Sequence, residues 1–588
     1  MASAAGLNAQ APFILLDGAW GSGAAAGRLY RRPVEIVETR DPGEVRSALA
    51  RLRNTPLHSA GFIAYEAGHA LEARLAPLSQ RPSHDAPPLL WFGLFEGFEE
   101  VEPEALMPDP ASGWADAPRP LIARGAFEAA VRDVQEHIQA GNVYQANLSF
   151  QAEVRTAGSP LAVYAAARRR ARAGYGGVVF TGEHWLLSFS PELFFTLEGR
   201  RLTTRPMKGT AERRRDATED QAAVGALRED PKQRAENLMI VDLLRNDLSR
   251  VSKPGTVKVP SLFAVETYPT VHQMTSTVVS ELEQGLGAID VLEAIFPCGS
   301  ITGAPKIRAM EIIAEAEKRP RHVYTGSIGA ITPGGEATFN VAIRTLTLRD
   351  GENRALMGLG SGIVADSRPA DEWRECLAKG AFVSDPDRSF DLIETMRFDP
   401  QEGIADTERH LARMKASAET FGFPFDRHGA RNELQAATFR LREPKKLRLL
   451  LSPTGAVAIE VRSLPAPAAD PVQVAITALP VSSDDFRLRH KTSDRAFYNR
   501  AREEAGAFEV IFADEAGFLT EGSFTNIFVA RDGKLVTPPL SRGLLPGIFR
   551  ERLLASGEAV EGDLVAADLV RGFFIGSSIR GLLPAVLR

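Results

Sequence analysis

DPKQRAENLMIVDLLRND, residues 230–247, is the most informative stretch of this chain and predicts a long helix from about Pro231 to Arg250. Proline suits the first position of a helix because an amide hydrogen there would have no acceptor within the helix. Asp230-Pro231 therefore marks the start of this helix. The apolar face of the helix is predicted from residues at helical spacing: Leu238, Val241, Leu244 and Leu248. The same helix carries one carboxylate, Glu236.

A later helix is predicted to begin near Pro369 and to carry Glu372, Glu375 and Lys379 on neighbouring turns. Carboxylates that converge from two helices could hold Mg²⁺, because this ion prefers oxygen ligands and keeps several of its waters. Glutamates are common on protein surfaces, so a solvated helix face explains each of them taken singly.

Lys208 lies in Thr204-Arg205-Pro206-Met207-Lys208-Gly209-Thr210, between a proline-stiffened segment and a glycine. Upstream, Ser190-Pro191-Glu192 ends an apolar run. A lysine that faces a carboxylate is a plausible nucleophile and general-acid pair. On this stretch alone, an ordinary surface lysine is the stronger interpretation.

Two features of residues 323–365, a region predicted to form strands, favour binding of an anion. The glycine-rich run from Gly358 to Gly362 can present backbone amides to a carboxylate. Arg344 ends the apolar segment Phe339–Arg344, which predicts a charge inside a buried strand. A buried arginine needs an acidic partner, so an anionic substrate and a structural salt bridge are equally good interpretations.

Composition sets the broad limits. A length of 588 residues predicts two or three domains, and the polar turn near residues 384–387 predicts a boundary between residues 1–384 and 385–588. The net charge of −6 gives no basic footprint for nucleic acid. Two cysteines provide neither a disulfide framework nor a zinc site. No signal peptide in residues 1–10 and no membrane span is predicted, which favours a cytoplasmic protein.

Residues 1–384 resemble the chorismate-utilising enzymes, a family that includes anthranilate, aminodeoxychorismate, isochorismate and salicylate synthases. The motifs that carry the resemblance follow in family order: residues 230–247, Gly299–Lys306 (GSITGAPK), Tyr324–Gly329 (YTGSIG), the Arg344 segment and Gly360–Asp366 (GSGIVAD). The resemblance implies chorismate as substrate and Mg²⁺ on Glu236 and Glu375, with Glu372 nearby. It implies further substrate contacts from Gly360, Gly362, Lys379, Ser300, Tyr324 and Arg344, and places His272 near the reacting centre.

Two positions distinguish members of this family. Gln145 stands where water-using relatives carry a lysine base, which points to ammonia as the final nucleophile. Lys208 stands where anthranilate synthases typically carry alanine, and a lysine there resembles aminodeoxychorismate synthase. The resemblance therefore implies that Lys208 attacks C2 of chorismate while Glu192 helps to protonate the departing C4 hydroxyl. Ammonia would then add at C4 to give 4-amino-4-deoxychorismate.

The cysteines bear on the source of that ammonia. Glutamine amidotransferases of the associated type need a nucleophilic cysteine in a Gly-x-Cys-x-Gly elbow. Cys298 lies in Phe296-Pro297-Cys298-Gly299, and Cys376 lies on the helix that carries Glu372 and Glu375, so neither context fits. A separate glutamine amidotransferase subunit is predicted, unless free ammonia suffices.

Residues from about 388 onward resemble fold-type IV pyridoxal-phosphate enzymes, which include aminodeoxychorismate lyase and branched-chain and D-amino-acid aminotransferases. The motifs are Ile393–Arg397 (IETMR), His410–Met414 (HLARM), His490–Thr492 (HKT), Leu519–Ser523 (LTEGS) and Leu545–Arg550 (LPGIFR). The resemblance implies that Lys491 bonds the cofactor and that Glu521 pairs with its pyridinium nitrogen. Arg413, the amides of Ile548 and Phe549, and Ser577 would bind its phosphate.

Together the two resemblances imply an α+β chain, with layered β-sheets and helices in the first domain and an α/β cofactor domain in the second. The implied function is synthesis of 4-aminobenzoate, in which Lys491 takes the C4 proton and pyruvate leaves. The alternatives are an anthranilate-type synthase fused to an aminotransferase, and a non-catalytic scaffold with degenerate sites. A homodimer through the second domain is possible, although that domain lacks the first strand and turn usual in free-standing relatives.

Overall fold

The computed structural model describes residue 7 and residues 11–18, 27–171, 173–214, 216–267 and 271–588. Most of the segment examined for a signal peptide, residues 1–6 and 8–10, therefore lies outside the described residues. The chain divides into two compact units. Unit 1 comprises residues 1–107, 117–154 and 167–384, and unit 2 comprises residues 108–116, 155–166 and 385–588. The predicted boundary after residue 384 stays a prediction, and the two short segments of unit 2 were not foreseen.

The elements up to residue 384 combine strands and helices. The strands are β1 Phe13–Asp17, β2 Gly27–Arg31, β3 Glu35–Thr39, β4 His58–Ile63, β5 Leu90–Phe95, β6 Glu99–Val101, β7 Trp114–Ala115, β8 Arg119–Pro120, β9 Gln145–Ala157, β10 Tyr175–Phe180, β11 His184–Ser190, β12 Leu193–Glu198, β13 Arg201–Arg205, β14 Met207–Glu212, β15 Lys258–Thr267, β16 Val271–Glu281, β17 Gly303–Ala304, β18 Ser327–Ile331, β19 Ala337–Asn340, β20 Thr345–Arg349 and β21 Arg354–Ile363. The helices are α1 Val45–Arg53, α2 Ala67–Leu71, α3 Pro103–Leu106, α4 Arg124–Gln139, α5 Pro160–Ala171, α6 Ala217–Glu229, α7 Pro231–Ser249, α8 Ala288–Ile295, α9 Lys306–Glu317 and α10 Pro369–Gly380.

Unit 1 is built on two antiparallel sheets. The first has the order β17-β9-β21-β20-β11-β10-β1-β2-β6, and the second has the order β14-β16-β13-β12-β19-β18-β4-β5-β3 with β15 beside β16. One apolar cluster takes Ile14 and Leu186 from the first sheet and Phe62 and Trp91 from the second. The sheets therefore pack face to face around a common core, as the predicted layered fold requires.

The predicted helix over residues 231–250 is confirmed as α7. The Asp230 side chain caps it by accepting hydrogen bonds from the amides of Lys232 (2.8 Å) and Gln233 (3.0 Å). The predicted apolar face was wrong at one position, because Leu238 is 51% exposed. Asn237 occupies that place on the buried face instead, and its side chain accepts a hydrogen bond from Ser276 at 2.6 Å.

Arg344 does not lie inside a strand, which corrects the prediction. The chain leaves the second sheet after Asn340 and enters the first at Thr345, and this crossing interrupts the predicted strand. The backbone between them bonds to other partners: the Val341 amide donates to the Glu192 carbonyl at 3.0 Å. Arg344 takes a left-handed backbone conformation with φ of 51° at the end of this crossing.

Unit 2 contains two sheets and the remaining helices. Its strands are β22 Leu392–Asp399, β23 Gly403–Ile404, β24 Lys445–Leu451, β25 Val457–Ser463, β26 Val472–Ala478, β27 Glu509–Ala513, β28 Leu519–Gly522, β29 Asn526–Arg531, β30 Lys534–Thr537, β31 Ala559–Glu561, β32 Phe573–Ser577 and β33 Gly581–Leu587. Its helices are α11 Thr407–Phe421, α12 Arg427–Thr438, α13 Phe486–Arg489, α14 Ala496–Ala505 and α15 Ile548–Ala555. The sheet orders are β23-β22-β24-β25 and β28-β27-β26-β33-β32-β29-β30-β31. In the second of these, β26 pairs in parallel with β27 and β33, so the predicted mixed α and β character is confirmed.

Residues 108–116 complete the core of unit 2. The Trp114 ring packs edge-on against Phe421, with the ring centres 4.9 Å apart, and against Phe390 at 6.3 Å. Arg388 donates hydrogen bonds to the backbone of the same segment, one of them to the Gly113 carbonyl at 2.6 Å. A segment that precedes the predicted second domain by more than 260 positions therefore contributes to its packing.

Candidate active sites

Lys208 lies at a β-bulge in β14. Met207 pairs with Thr275 and Thr210 pairs with Gln273, so β14 has one residue more than its partner between these pairs. Gly209 accommodates the bulge with a φ of 87°, a conformation that favours glycine. A β-bulge changes the direction of the side chain beside it. The Lys208-Gly209 pair therefore sets the direction of the Lys208 side chain.

Lys208 and Gln145 approach each other over Gly362. A methyl group added to Gly362 would lie 2.7 Å from Gln145 Nε2 and 3.3 Å from Lys208 Nζ. Gln145 is buried at the start of β9, and Gly362 lies near the end of β21. Gln145 and Gly362 come from neighbouring strands of the first sheet, and Lys208 reaches them from β14 of the second sheet. Glycine at position 362 leaves space between the two predicted side chains.

Glu192 is buried between β11 and β12, next to Ser300. The Ser300 hydroxyl donates a hydrogen bond to Glu192 Oε1 at 2.6 Å. Burial raises the pKa of Glu192, whereas the Ser300 hydrogen bond and the charges of Lys208 and Lys379 lower it by less. A carboxyl with a raised pKa holds its proton more readily, which suits a proton donor.

The pKa of Lys208 is lowered. Burial is the largest cause, and the ammonium of Lys379 adds to it, while Glu236, Glu192 and Glu375 oppose the shift. The half-buried Lys208 therefore lies within electrostatic reach of one cation and three carboxylates. A lysine whose pKa is lowered is neutral, and so nucleophilic, for a larger fraction of the time.

Glu236 on α7 and the two glutamates of α10 form a carboxylate group near Lys208. Burial raises the pKa of Glu236, and Glu375 and Glu372 add to that rise. For Glu375, burial raises the pKa but Lys379 and Lys208 lower it by more. Within the described residues, no three His, Cys, Asp or Glu side chains form a group that could hold a metal ion.

The donor chemistry of this group fits Mg²⁺ nevertheless. All of its members are carboxylates, and Mg²⁺ is commonly held by one or two of them together with waters and substrate oxygens. One carboxylate is engaged elsewhere, because Glu375 pairs with Lys379 at 2.7 Å. Lys379 also donates to the Gly360 carbonyl at 3.0 Å, which ties α10 to β21.

Tyr324 packs against the glycine-rich strand β21. A methyl group at Gly358 would overlap its ring at 2.1 Å, and one at Gly360 would lie 2.9 Å from its hydroxyl oxygen. Burial raises the pKa of Tyr324, so the hydroxyl stays protonated and can donate. These glycines are required here because the Tyr324 side chain takes the space that a larger residue would fill.

Arg344 has no described carboxylate within 4 Å, and burial alone lowers its pKa. The structural salt bridge considered for this residue is thus not formed with any described side chain. An arginine that is kept partly buried without an acid favours the other interpretation, an anionic ligand.

His272 lies on β16, opposite Ala211 of β14. Its Nε2 is 2.9 Å from Asp220 Oδ1, and its Nδ1 is 3.0 Å from Thr267 Oγ1. Among the described residues, these hydrogen bonds do not link His272 to Lys208, Glu192 or Ser300. Asp220 was not selected from the sequence, and its position on α6 gave no signal for this contact.

The two cysteines are buried thiols in unit 1. Burial raises the pKa of Cys298 to about 12 and that of Cys376 to about 11. Both therefore remain protonated near neutral pH, whereas a nucleophilic cysteine needs a lowered pKa.

In unit 2, Lys491 adjoins the start of β22. The Ile393 amide donates to the Lys491 carbonyl at 2.8 Å. Burial lowers the pKa of Lys491 to about 7, and the charge of Arg413 adds to the shift while Glu394 opposes it. Among the described residues, no carboxylate lies within 4 Å of its ammonium. Such a lysine is available to bond a carbonyl compound.

Arg413 is held at the N-terminus of α15. It donates to both oxygens of Glu394, at 2.8 and 2.7 Å, and to the Pro546 carbonyl at 2.8 Å. One residue, Gly547, lies between Pro546 and α15, and the first amides of the helix, Ile548 and Phe549, have no intrahelical acceptor. A fixed cation beside a helix N-terminus is an arrangement that suits a phosphate.

Glu521 is buried on β28 and receives a hydrogen bond from the Tyr498 hydroxyl at 2.5 Å. Burial raises the pKa of Glu521 to about 7, although the Tyr498 bond lowers it. Ser577 ends β32, next to Gly576, where a methyl group would lie 2.8 Å from the Phe549 ring. The close packing at Gly576 brings Ser577 towards α15.

These residues fit pyridoxal phosphate. Lys491 is a partly buried amine with no described carboxylate within 4 Å, and Arg413 and the start of α15 match a phosphate. The buried Glu521 matches a pyridinium nitrogen, whose positive charge would favour the charged carboxylate. A methyl group at Gly547, just before α15, would lie 1.8 Å from Asn526 Oδ1 and collide with it. The close contact between the Asn526 side chain and the start of α15 therefore requires glycine at position 547.

The residues that hold these predicted side chains in place were not predicted from the sequence. Glu394 and His410 were quoted as motif residues without a role, yet His410 Nδ1 lies 2.6 Å from Glu394 Oε2, and Glu394 anchors Arg413. Tyr498 follows Lys491 by seven positions at the start of α14, and only a search for hydroxyl partners of Glu521 could have found it.

Comparison with known proteins agrees with the division into two parts. Residues 31–385 match the family described as chorismate binding enzyme, and residues 391–587 match class IV aminotransferases. Aminodeoxychorismate synthase component 1 of Klebsiella aerogenes is 42% identical over 261 residues, which cover 44% of this chain and 57% of that protein. Anthranilate synthase component 1 of Aquifex aeolicus is 41% identical over 253 residues, which cover 43% of this chain and 51% of that protein.

The crystal structure of anthranilate synthase component I from Streptococcus pneumoniae is similar in fold. It has a TM-score of 0.52 and 27% identity, and the match covers 62% of this chain and 93% of that one. The chain spans about half the length of the two sequence relatives named above. Because the match at residues 31–385 covers more than half of this chain, the chain belongs to the chorismate binding enzyme family.

Proposed function

We propose that this chain converts chorismate into 4-aminobenzoate in two steps. Residues 1–384 would aminate chorismate at C4, and residues 385–588 would remove pyruvate from the product. The observation that carries the proposal is the position of Lys208, which lies beside Gln145 over Gly362 and within electrostatic reach of Glu192. Sequence identity alone does not choose the nitrogen position, because the aminodeoxychorismate and anthranilate relatives are 42% and 41% identical.

In the first step, neutral Lys208 attacks C2 of chorismate, and the C4 hydroxyl leaves as water after Glu192 has protonated it. Ammonia then adds at C4, and the bond between C2 and Lys208 breaks. The lowered pKa of Lys208 and the raised pKa of Glu192 support these roles, because one must be neutral and the other protonated. Ser300 orients Glu192 through its 2.6 Å hydrogen bond.

The surrounding residues bind the two carboxylates of chorismate. Glu236 and Glu375, with Glu372 nearby, would hold Mg²⁺, which supplies positive charge against the ring carboxylate. Gly360 and Gly362 amides and Lys379 bind the same carboxylate. Arg344 and Tyr324 bind the enolpyruvyl carboxylate, and the absence of a described acid beside Arg344 supports this role. His272 is bonded to Asp220 and Thr267 and would act at the edge of the site.

In the second step, Lys491 takes the C4 proton, and the enolpyruvyl group leaves as pyruvate. Bound pyridoxal phosphate would supply an electron sink for this step. Arg413, the Ile548 and Phe549 amides and Ser577 hold the phosphate, and Glu521 holds the ring nitrogen. The pKa of about 7 for Lys491 lets it accept a proton near neutral pH. Formation of the aromatic ring supplies the driving force, so the site mainly orients the substrate.

Ammonia would come from a separate glutamine amidotransferase subunit. The raised pKa of both thiols supports this, because neither Cys298 nor Cys376 has the thiolate character that a glutaminase nucleophile needs. Both cysteines are free, which suits a cytoplasmic enzyme. Among the described residues, no helix combines the length and apolar character needed to cross a membrane. A homodimer through the second domain stays a prediction.

Substitution of Lys208 tests the proposal. The chain is incubated with chorismate, ammonium, Mg²⁺ and pyridoxal phosphate, and 4-aminobenzoate and pyruvate are measured. We expect Lys208→Ala to cut their formation on the order of 10³-fold. Lys258→Ala is the matched control, because Lys258 is an exposed lysine of the same sheet. Equal turnover of the two variants would refute covalent catalysis by Lys208.

The alternative is an anthranilate-type synthase fused to an aminotransferase, and the similarity to anthranilate synthase component 1 favours it. It predicts 2-aminobenzoate from chorismate and a keto acid from an added amino acid. The proposed function instead predicts pyruvate in a one-to-one ratio with 4-aminobenzoate.

A further inference from the structure

Arg321 is a buried arginine of unit 1 that the proposed mechanism does not use. Its side chain is 2% exposed and donates two hydrogen bonds to Glu317, the last residue of α9, at 2.9 and 2.6 Å. The same carboxylate accepts hydrogen bonds from the amide and the hydroxyl of Ser149 at 2.7 and 2.9 Å. The charge of Arg321 is therefore balanced, and its planar guanidinium is held in one orientation.

The guanidinium of Arg321 also reaches three other segments of the chain. It donates hydrogen bonds to the Asn147 carbonyl at 2.5 Å, the Ile301 carbonyl at 3.2 Å and the Thr325 hydroxyl at 3.3 Å. Asn147 lies on β9, Ile301 ends the short helical turn that begins at Gly299, and Thr325 lies between α9 and β18. One side chain thus joins segments that are distant in sequence.

Two of these contacts adjoin residues that were assigned to the first site. Ile301 follows Ser300, whose hydroxyl donates to Glu192 at 2.6 Å. Thr325 follows Tyr324, which packs against β21. A movement of the guanidinium would therefore displace both Ser300 and Tyr324.

The third contact adjoins Gln145. Asn147 is two positions further along β9, so its side chain and that of Gln145 point to the same face. The Asn147 amide donates to the Thr302 carbonyl at 2.7 Å, and Ala304 pairs with Gln145. Arg321 thus holds β9 at the place where it meets the segment that carries Ser300.

The backbone around Tyr324 needs this support. His322 and Thr325 have φ angles of 56° and 61°, a left-handed conformation that is rare for a β-branched residue such as threonine. Such conformations persist where the surrounding structure holds them, and they cluster at functional sites. Glu66 supplies a second support, because its two oxygens accept hydrogen bonds from the amides of Arg321 and His322 at 2.6 and 3.0 Å.

We propose that Arg321 is a positioning residue of the first site, which sets Ser300, Tyr324 and Gln145 relative to one another without contacting the substrate. The inference rests on the proposed function, which gives these three residues their roles. A guanidinium suits this task because its donors form a rigid fork, whereas lysine has a single ammonium on a flexible stem. A displacement of about 1 Å at a reacting centre can lower a rate on the order of 100-fold.

Two variants of the full chain separate positioning from stability. Arg321→Lys keeps a charge beside Glu317 but loses the fork, and we expect kcat for amination to fall about 30-fold. A double variant, Arg321→Met with Glu317→Gln, removes both charges, so no unpaired charge is buried. It should unfold within about 1 M urea of the wild type, yet its kcat should fall on the order of 100-fold.

The pH profile of amination shows whether the effect of Arg321 passes through Ser300. Displacement of Ser300 would weaken the hydrogen bond that lowers the pKa of Glu192. The alkaline limb of the profile, where Glu192 loses its proton, should therefore move to higher pH in Arg321→Lys. A smaller amount of folded protein would instead lower the rate by the same factor at every pH.

Arg74→Lys is the matched control. Arg74 also donates two hydrogen bonds to a glutamate of α9, Glu311, but its side chain is 62% exposed. This variant should leave kcat within about twofold of the wild type. Pyruvate release from supplied 4-amino-4-deoxychorismate is an internal control in every variant, because that step belongs to residues 385–588.

Amination is followed as chorismate consumed with ammonium and Mg²⁺, which does not depend on the product formed. A kcat and a pH profile in Arg321→Lys equal to those of Arg74→Lys would overturn the role of Arg321. Equal losses of chorismate consumption and pyruvate release in both Arg321 variants would also overturn it. A wild-type chain that forms 2-aminobenzoate would instead refute the proposed function, whatever the Arg321 variants show.

Discussion

Lys208 and Lys491 are both half-buried, and burial lowers the pKa of each, but carboxylates predominate around Lys208 and arginines predominate around Lys491. Glu236, Glu192 and Glu375 favour the ammonium form of Lys208, whereas the ammonium of Lys379 disfavours it. Around Lys491, Arg413, Arg495 and Arg448 disfavour that form, and Glu394 opposes them.

The difference matches what each site is proposed to receive. Carboxylates around Lys208 suit a divalent cation. A bound cation would offset their negative charge, so that they would stabilise the ammonium form of Lys208 less. Arginines around Lys491 suit an anionic cofactor and an anionic substrate. Lys491, with a pKa of about 7, is already neutral for much of the time at neutral pH.

The largest expected effect is a difference between the compounds that the Lys208 and Lys491 variants produce. Lys491→Ala should leave amination intact and reduce 4-aminobenzoate on the order of 10³-fold, so that 4-amino-4-deoxychorismate accumulates. Lys208→Ala should produce neither compound. Chromatography of both products measures this, with Lys534→Ala, an exposed lysine of unit 2, as the control. Accumulation of the intermediate by Lys208→Ala would contradict the assignment of the two steps.

Glu394 is a carboxylate that offsets the arginines around Lys491. Arg413 and His410 lower its pKa from 4.5 to about 2 despite burial. Its contribution to stability is therefore complete above pH 4.5 and is lost as the pH falls towards 2. We expect Glu394→Gln to destabilise unit 2 by about 3 kcal/mol at pH 7, and the difference to shrink by about 1 kcal/mol by pH 3.5.

Urea unfolding of both proteins at the two pH values measures this, followed by the fluorescence of Trp114 in a chain whose other tryptophans are replaced. Glu408→Gln is the control, because Glu408 forms exposed ion pairs on the same helix α11 as Arg413. A difference that is constant with pH would mean that the Glu394 carboxylate is not the stabilising group.

In the first site, Ser300→Ala tests the hydrogen bond to Glu192. This bond lowers the pKa of Glu192, so its loss should raise that pKa further and move the alkaline limb of the rate profile, where Glu192 loses its proton, to higher pH. The rate of amination should fall about tenfold, as expected for one hydrogen bond to a charged group. The pH dependence of amination, measured with Lys208 intact, checks both effects. An unchanged profile would show that Ser300 does not act through Glu192.

Tyr498→Phe should give the smallest effect, in the second site. The Tyr498 hydroxyl lowers the pKa of Glu521 through a 2.5 Å hydrogen bond, so its removal should raise that pKa above about 7. Affinity for pyridoxal phosphate should weaken about threefold to tenfold. Equilibrium dialysis of the cofactor measures this, and Phe497→Leu on the same helix is the control. Equal cofactor affinity in the two variants would contradict a role for Tyr498.

Much of the first site could be predicted because it rests on local signals. Helix α7 carries Glu236 and is set by Asp230-Pro231 and its apolar spacing, and its predicted extent is confirmed. The predicted apolar face of this helix was wrong at Leu238. Asn237 lies on the buried face instead, because it accepts a hydrogen bond from Ser276 on a strand that is distant in sequence. Spacing alone cannot reveal such a partner.

The rest depends on contacts between distant parts of the chain. Arg344 was predicted inside a strand because the apolar residues before it form a strand-like pattern. In the structure, the chain crosses from the second sheet to the first at this point. The packing of Trp114 into unit 2 depends on a contact with Phe390, which lies far away in the sequence.

The central claim is that Lys208 directs nitrogen to C4 of chorismate. The most direct measurement is product analysis of the purified wild-type chain with chorismate, ammonium, Mg²⁺ and pyridoxal phosphate. The account predicts 4-aminobenzoate with an equal amount of pyruvate. Formation of 2-aminobenzoate as the main aromatic product would contradict it.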